Sequence, residues 1–120
     1  MGRAIGSSYV IRQTPGGERL GGLRITLTAS AEKGGTVEAD PTSFFGGARL
    51  EGEVEWILEA ARRGVHDYAA QHGVDLSGFR VVVSEIAFHP VDSSEHIFYQ
   101  AAQSALRSAL EAWHFSKYGP

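Results

Sequence analysis

The first third of the chain is organised by an alternation of apolar and polar residues. The segment LRITLTAS, residues 23–30, alternates cleanly, which is typical of a strand with one buried face. Two further strands are predicted at residues 7–14 and 36–40. The four glycines of TPGGERLGG, residues 14–22, predict a flexible loop between the first two strands. Together these segments predict an antiparallel meander with one solvent-exposed face.

A helical pattern begins near residue 51, where apolar residues start to recur at steps of three and four. Gly64 interrupts this helix at a cost of about 1 kcal/mol relative to alanine, so we expect it to have a packing role. Gly73 is predicted to end the helix as its C′ residue. The predicted buried stripe comprises Val54, Ile57, Leu58, Ala61, Val65, Tyr68 and Ala69.

The apolar run FRVVVSEIAF, residues 79–88, predicts a strand that helices cover on at least one face. A long helix is predicted after it, up to about Ser116. The element order β-β-β-α-β-α predicts an α/β fold, an α+β two-layer sandwich whose four-stranded, mainly antiparallel sheet has two helices on one face. The length fits a single domain, residues 1–120. The apolar positions of the second helix, mostly alanine, include Phe98, Ala101, Ala102, Ala105, Ala109 and Trp113.

Composition narrows the classes of function. The net charge of −3 is untypical of a general nucleic-acid binder, although residues 1–24 hold four arginines against one glutamate, a local net charge of +3. The absence of cysteine excludes disulfides and thiolate metal sites and favours an intracellular location. No stretch is long and apolar enough to span a bilayer, and the N-terminus lacks the apolar region of a signal peptide. We therefore predict a cytoplasmic protein with no membrane partner.

The stretch HPVDSSEH, residues 89–96, concentrates polar groups ahead of the second helix. Asp92 is suited to accept hydrogen bonds from the free N–H groups of the first helical turn. Glu95, three residues later, can reach back to the N–H of Asp92, which completes a capping box. Both carboxylates also favour the positive end of the helix dipole. We therefore predict that Asp92 and Glu95 cap the second helix.

His89 has no role in this capping interpretation. Its spacing to His96 matches no zinc signature, since the chain has neither H-E-x-x-H nor His-x-His. General acid–base catalysis by His89 with Asp92 or Glu95 is chemically feasible at neutral pH, but no G-x-S-x-G nucleophile elbow accompanies it. Enzymatic activity is therefore the least favoured hypothesis of function. We predict no catalytic residue, metal or cofactor.

The glycine-rich segment at residues 16–22 has two interpretations. It is neither a P-loop, because no G-K-[ST] follows, nor a dinucleotide fingerprint, because a strand follows instead of a helix, so no bound nucleotide is expected. The first interpretation is a mobile hairpin loop. The second is a loop tip whose backbone touches RNA phosphates, with positive charge from Arg12, Arg19 and Arg24.

The sequence VDSSE, residues 91–95, followed by an alanine-rich helix, resembles domain IV of bacterial translation elongation factor G. In FHPVDSSE, His89 stands at the place of the family's tip histidine. The segment at residues 14–22 is similar to the family's first tip loop, and FFGG, residues 44–47, resembles its double glycine before the first helix. The sequence ARRGVHDYA is similar to the family's glycine-interrupted helix, which supplies a family-level reason for Gly64.

The resemblance extends from about Tyr9 to Leu110 and implies the ribosomal protein S5 domain 2-like fold. In that family the tip loops of domain IV enter the decoding region of the small ribosomal subunit and hold tRNA against mRNA during translocation. The family's GTPase lies in another domain, so GTP-driven translocation by this P-loop-free chain alone is not expected. From Gly78 to Val91 the chain is several residues shorter than the family, which shortens the second tip loop.

The leading hypothesis is a non-catalytic, translation-factor-like binding module. Loops 14–22 and 88–92 would form one tip that contacts the ribosome or another structured RNA. The alternative is a homo-oligomeric or regulatory protein-interaction module without RNA binding, which the net charge of −3 and the shortened tip favour. The residues predicted to contact RNA are Arg12, Gly16, Gly17, Arg19, Arg24 and His89, with the glycines allowing close approach of the backbone.

Overall fold

The structure, a computed structural model, describes residues 3–14, 17–29, 35–39, 44–45, 54–88 and 95–118. Neither helix of this described part is long and apolar enough to cross a membrane. In chain order the elements are β1 (Arg3–Thr14), β2 (Gly17–Ala29), β3 (Val37–Ala39), β4 (Phe44–Phe45), α1 (Val54–His72), β5 (Phe79–Phe88) and α2 (Glu95–Tyr118).

The strands form one mixed sheet in the order β1-β2-β5-β3. The pairs β1–β2 and β2–β5 are antiparallel, whereas β3 and β4 both run parallel to β5. Since β3 pairs with residues 81–83 of β5 and β4 with residues 86–87, the two short strands act as one interrupted fourth strand. The predicted fold class, an α/β two-layer sandwich, is confirmed.

The predicted meander of the first three strands is wrong. β3 does not pair with β2, because β5 lies between them. A central strand has neighbours on both of its edges, and the run of three valines in β5 is typical of such a covered strand. The three-residue β3 therefore takes an edge position, and α1 lies in the connection from β3 and β4 to the parallel strand β5.

The core lies between one face of the sheet and the two helices. Most of the predicted core positions are confirmed as buried, and Leu58, Tyr68 and Trp113 are half-buried at its margin. Trp113 packs edge-on against Phe79 with ring centroids 4.9 Å apart. The largest fully buried side chains are Leu23, Ile25, Leu27, Ile57, Val65, Val81, Val83, Ile86, Ile97, Phe98 and Leu106.

Two glycines let backbone approach backbone on either side of α2. A Cβ atom at Gly64 of α1 would lie 2.5 Å from the carbonyl oxygen of Tyr99, so a side chain there would force the helices apart. A Cβ atom at Gly6 of β1 would overlap the backbone of α2 at Ala105 and Ala109. The packing role predicted for Gly64 is therefore confirmed, and Gly6 has the same role between sheet and helix.

A β-bulge in β5 keeps its apolar residues on the core side. Gly22 pairs with Ala87 and Arg24 with Ser84, so Glu85 and Ile86 together oppose the single residue Leu23. Glu85 has a φ of 49°, in the left-handed region. Without the extra residue, the alternation that buries Val83 would also bury Glu85. The bulge buries Ile86 in its place and leaves Glu85 on the face opposite the helices.

The end of α1 agrees with the sequence prediction. Gly73 has a φ of 64°, and the N–H of Val74 donates to the carbonyl of Ala69 at 2.8 Å. This pattern is a Schellman motif, in which a left-handed C′ residue closes the last turn. The chain can then turn back towards β5, whose first residue Phe79 is held by its N–H donating to the carbonyl of Leu76 at 2.9 Å.

Candidate nucleic-acid interface

The hairpin of β1 and β2 extends past the end of β5. The last residue of β5, Phe88, pairs with Gly21, whereas the pairing of β1 with β2 continues from there to Thr14 opposite Gly17. We call residues 11–14 of β1 and 17–20 of β2 the ribbon end. It comprises four residues of each strand, roughly 13 Å of ribbon at the usual rise per residue. Within the described part of the chain, the ribbon end is paired as two strands only.

The ribbon end replaces the predicted flexible loop at residues 14–22. Thr14 ends β1 and residues 17–22 belong to β2, so the loop prediction is wrong for seven of these nine positions. Glycine disfavours a strand through its backbone entropy, but here the whole segment is held by the ladder to β1. Gly17 is a strand residue opposite Thr14, and Gly16 lies outside the described residues.

Two arginines stand opposite each other in the ribbon end. Arg12 of β1 pairs in register with Arg19 of β2, so both positions belong to the same face of the ribbon, at the separation of about 5 Å that is usual for directly opposed residues. The neighbouring pair, Gln13 and Glu18, belongs to the other face because successive strand residues alternate. The position of Glu18, the acidic residue of this segment, is therefore on the ribbon face opposite the positions of the two arginines.

The second predicted tip loop begins beside the ribbon end. Phe88 closes β5 opposite Gly21, directly before the ribbon end starts at Leu20. The chain that leaves β5 therefore starts at the base of the ribbon. His89, together with the predicted cap residue Asp92, lies outside the described residues.

Arg24 is not part of the ribbon end. It pairs with Ser7 and Ser84 in the body of the sheet, and its Nε lies 2.6 Å from Oε2 of Glu85 at the bulge. Both side chains are partly exposed, at 40% and 25%. The sequence grouped Arg24 with Arg12 and Arg19, but the structure places it beside a carboxylate that satisfies its charge.

Glu95, the other predicted cap residue, begins α2 and faces α1. Its Oε2 lies 3.4 Å from Nη2 of Arg63, and four residues further along each helix the hydroxyl of Tyr99 donates to Asp67 at 2.6 Å. This hydrogen bond raises the pKa of Tyr99 above its ordinary value, with smaller contributions from burial and from the negative charge of Asp67.

These four residues and His96 line an open groove of about 380 Å³ between the helices. The His96 and Tyr99 rings are nearly parallel, with centroids 6.4 Å apart. Both signs of charge are paired across the groove, so its contacts fasten α1 to α2. Sequence reasoning missed this cluster. The sequence pattern that could have predicted it is a repeated four-residue spacing, from Arg63 to Asp67 and from Glu95 to Tyr99. This spacing places each pair on one helix face.

The described residues offer no assembled metal site, since no three of their histidine, aspartate or glutamate side chains converge as ligands. Ser93 and Ser94, which with His89 are the polar candidates of the HPVDSSEH stretch, lie outside the described residues. The expectations of no catalysis and no cofactor therefore remain predictions.

No family model and no curated protein matches this chain. Among solved structures, the crystal structure of a protein from Thermus thermophilus shares the fold, with a TM-score of 0.68 and 24% sequence identity. The match covers 93% of this chain but only 16% of the Thermus protein. The likeness establishes a shared fold, and in the Thermus protein that fold is one part of a much longer chain.

Proposed function

We propose that this chain is a non-catalytic binding module that contacts structured RNA through the ribbon end, as a counterpart of domain IV of elongation factor G. The observation that carries the proposal is the register that sets Arg12 opposite Arg19. Like charges directly opposite one another destabilise an antiparallel pair. An anion bound between the two arginines removes that repulsion, and the RNA backbone supplies one anion per phosphodiester.

The neighbourhood of the ribbon end supports this proposal. Because Gly21 is opposite Phe88, the segment after β5, with His89 in its sequence, starts at the base of the ribbon. The identification with domain IV rests on the sequence motifs of this segment and of residues 14–22. The Thermus protein supports the fold alone.

The charge distribution indicates how the contact would work. With a net charge of −3, the chain as a whole repels RNA, so binding depends on a local cationic surface. In the register of the hairpin, the position of Glu18 belongs to the ribbon face opposite the positions of Arg12 and Arg19. Such a contact reads phosphate positions rather than base edges, and it weakens as salt concentration rises.

The proposal is tested by co-sedimentation with purified small ribosomal subunits at several salt concentrations. The wild-type chain is expected to pellet with the subunits at low salt, and the fraction bound to decrease as salt is added. The double variant Arg12→Gln with Arg19→Gln loses two phosphate contacts. The slope of log K against log salt concentration should therefore become shallower by roughly 0.7–0.9 for each contact removed.

A matched control changes the same charge elsewhere. The double variant Arg62→Gln with Arg107→Gln removes two helix arginines, each paired on its own helix with Glu59 or Glu111, and should bind like the wild type. The proposal is wrong if the wild-type chain does not pellet at low salt. It is also wrong if the ribbon-end variant and the control variant bind equally well.

A further inference from the structure

The outer edge of β1 can accept a further strand. β1 pairs with β2 over 12 residues without a bulge, and no strand of the described part of the chain pairs with its other edge. Proteins usually prevent such pairing with proline, lysine, bulges or a short edge strand. β1 has no proline and no lysine, and its charged residues, Arg3 and Arg12, lie near its two ends. The opposite edge of the sheet, by contrast, consists of the short strands β3 and β4.

Two exposed apolar side chains accompany this free edge. Ile5 of β1 is 43% exposed and Phe115 of α2 is 60% exposed, and these are the exposed large apolar side chains of the described residues. Ala4 and Gly6, the neighbours of Ile5, are buried on the helix side. Because successive strand residues alternate, Ile5 belongs to the sheet face opposite the helices.

Phe115 lies on the flank of α2 that is turned towards the free edge. Gly64 of α1 approaches α2 at Tyr99, and Gly6 of β1 approaches it beside Ser108. Tyr99 and Ser108 are nine residues apart, or two and a half helical turns, so Ser108 is on the side of α2 away from α1. Phe115 follows Ser108 by seven residues and therefore shares its helix face, about 10 Å further along α2.

The direction of α2 brings Phe115 to the start of β1. Trp113 packs edge-on against Phe79, the first residue of β5. β1 begins at the same end of the sheet, since the β2 residues that pair with Phe79 and with Arg3 are neighbours in the chain. A strand added to the start of β1 therefore contacts Phe115 on the helix side and Ile5 on the opposite side.

The position of α2 decides which kind of partner fits this edge. A Cβ atom at Gly6 would overlap the backbone of α2 at Ala105 and Ala109, and strand side chains stand roughly perpendicular to the sheet, so α2 lies directly over β1. If two copies paired through their β1 edges, the strands, and with them the α2 helices above, would be about 4.8 Å apart. Packed helices need about 8–10 Å between their axes. An extended segment with no helix above it fits where a second copy does not.

The charge and the apolar residues of β1 indicate the chemistry of that segment. Residues 1–24 carry a net charge of +3, and β1 contains no acidic residue. An acidic residue opposite Arg3 forms a favourable cross-strand pair. Apolar residues opposite Ala4 and Ile5 cover one exposed side chain on each face of the sheet. The segment therefore combines a carboxylate with adjacent β-branched apolar residues, which also favour the extended conformation.

We propose that the start of β1 binds an extended segment of a partner protein as an additional strand of the sheet. Main-chain hydrogen bonds to β1 supply the affinity, and Ile5 and Phe115 select apolar side chains. We call residues 3–7 of β1, together with Phe115, the edge site. The edge site lies at the end of β1 opposite the ribbon end and uses neither arginine of the RNA contact, so it is independent of the proposed function.

The first test selects peptides from a phage-displayed library of random nine-residue sequences against the wild-type chain. We expect enrichment of β-branched apolar peptides with an acidic residue. Binding of the most enriched peptide, labelled with fluorescein, is measured by fluorescence anisotropy. Phe115→Lys and Ile5→Lys should each weaken it roughly tenfold. Gln71→Lys adds the same charge at an exposed position of α1 and should bind like the wild type.

The proposal is overturned if no peptide is enriched, or if the enriched peptide binds the two edge-site variants as tightly as the wild type. All three substitutions are at exposed positions, and circular dichroism verifies that each variant is folded.

The second test uses hydrogen exchange to identify the edge that is occupied. With the selected peptide bound, amides of residues 3–8 that point away from β2 should exchange more slowly, while exchange in β3 stays unchanged. Protection that lies outside β1 overturns the proposal. So does a wild-type chain that, without peptide, doubles its mass and gains protection at the same amides as its concentration rises, because a second copy is then the occupant.

Discussion

Glu85 reaches Arg24 from a left-handed backbone position. Its carboxylate lies 2.6 Å from Nε of Arg24, while its own φ is 49°. Both facts follow from the bulge that places Glu85 and Ile86 opposite Leu23. The bulge moves an acidic residue out of the core and next to a cation, at the cost of a conformation that residues with a Cβ rarely adopt.

The bulge makes the stability of the protein depend on backbone conformation at residue 85. Left-handed conformation costs a non-glycine residue about 1–2 kcal/mol, and a partly exposed ion pair contributes about 0–1 kcal/mol. Glu85→Gly should therefore leave the free energy of unfolding within about 1 kcal/mol of wild type or raise it. Glu85→Val, β-branched at a positive φ, should lower it by about 1–3 kcal/mol.

Urea unfolding followed by circular dichroism measures both changes. Arg24→Gln serves as the control, since it removes the ion pair and leaves the backbone of residue 85 unchanged. If Glu85→Val were as stable as Glu85→Gly, backbone strain at the bulge would have no role.

Gly64 is expected to tolerate no side chain. Alanine gains about 1 kcal/mol of helix propensity over glycine, but its Cβ would lie 2.5 Å from the carbonyl oxygen of Tyr99. Overpacking of this kind typically costs about 1–3 kcal/mol or more, and the contact is with backbone, which cannot rotate away. We expect Gly64→Ala to lower the melting temperature clearly. Gly78→Ala, where an added Cβ meets nothing within 4 Å, should leave it nearly unchanged.

A substitution at Gly6 tests the close approach of the sheet and α2 in the same way. An added Cβ would overlap the backbone of Ala105 and Ala109 and lie against Ser108, so β1 or α2 would have to move. Gly6→Ala should therefore destabilise the protein more than Gly64→Ala does, and it should weaken hydrogen-exchange protection first in β1 and α2. Equal protection of these elements in the variant and the wild type would contradict the close packing.

Tyr99 should titrate above its ordinary pKa of 10.0, because its hydroxyl donates to Asp67. The raised pKa means that the folded state favours the neutral phenol. The stabilising effect is therefore complete below about pH 10 and is lost as the pH rises through the pKa of the folded state. Asp67→Asn should lower the pKa of Tyr99 towards its ordinary value and reduce this alkaline loss of stability.

Ultraviolet titration of the phenolate band measures this pKa. The chain has four tyrosines, so the Tyr99 signal is obtained as the difference between the wild type and Tyr99→Phe. An unchanged Tyr99 titration in Asp67→Asn would mean that the hydrogen bond to Asp67 is not the main cause.

The sequence alone predicts only part of the candidate interface. Arg12 and Arg19 could be selected because they flank a glycine-rich segment, but their direct opposition is a property of the hairpin register. Arg24 looked equivalent to them by sequence distance, yet the bulge of β5 gives it a carboxylate partner. The partner comes from a strand about 60 residues away along the chain, and no local pattern encodes that encounter.

Local sequence patterns were sufficient to predict most of the buried residues and the positions of both helices. Alternation in residues 23–30, the three- and four-residue spacing of the helices and the left-handed Gly73 are all local in origin, because each depends on backbone periodicity. The order of the strands in the sheet, by contrast, follows from contacts between distant segments. β5 separates β2 from β3, and glycine-rich residues 17–22 become a strand, because the hydrogen-bonded ladder to β1 outweighs a local preference for turns. Such pairing energies arise between segments that are distant in the chain, and a one-dimensional pattern does not contain them.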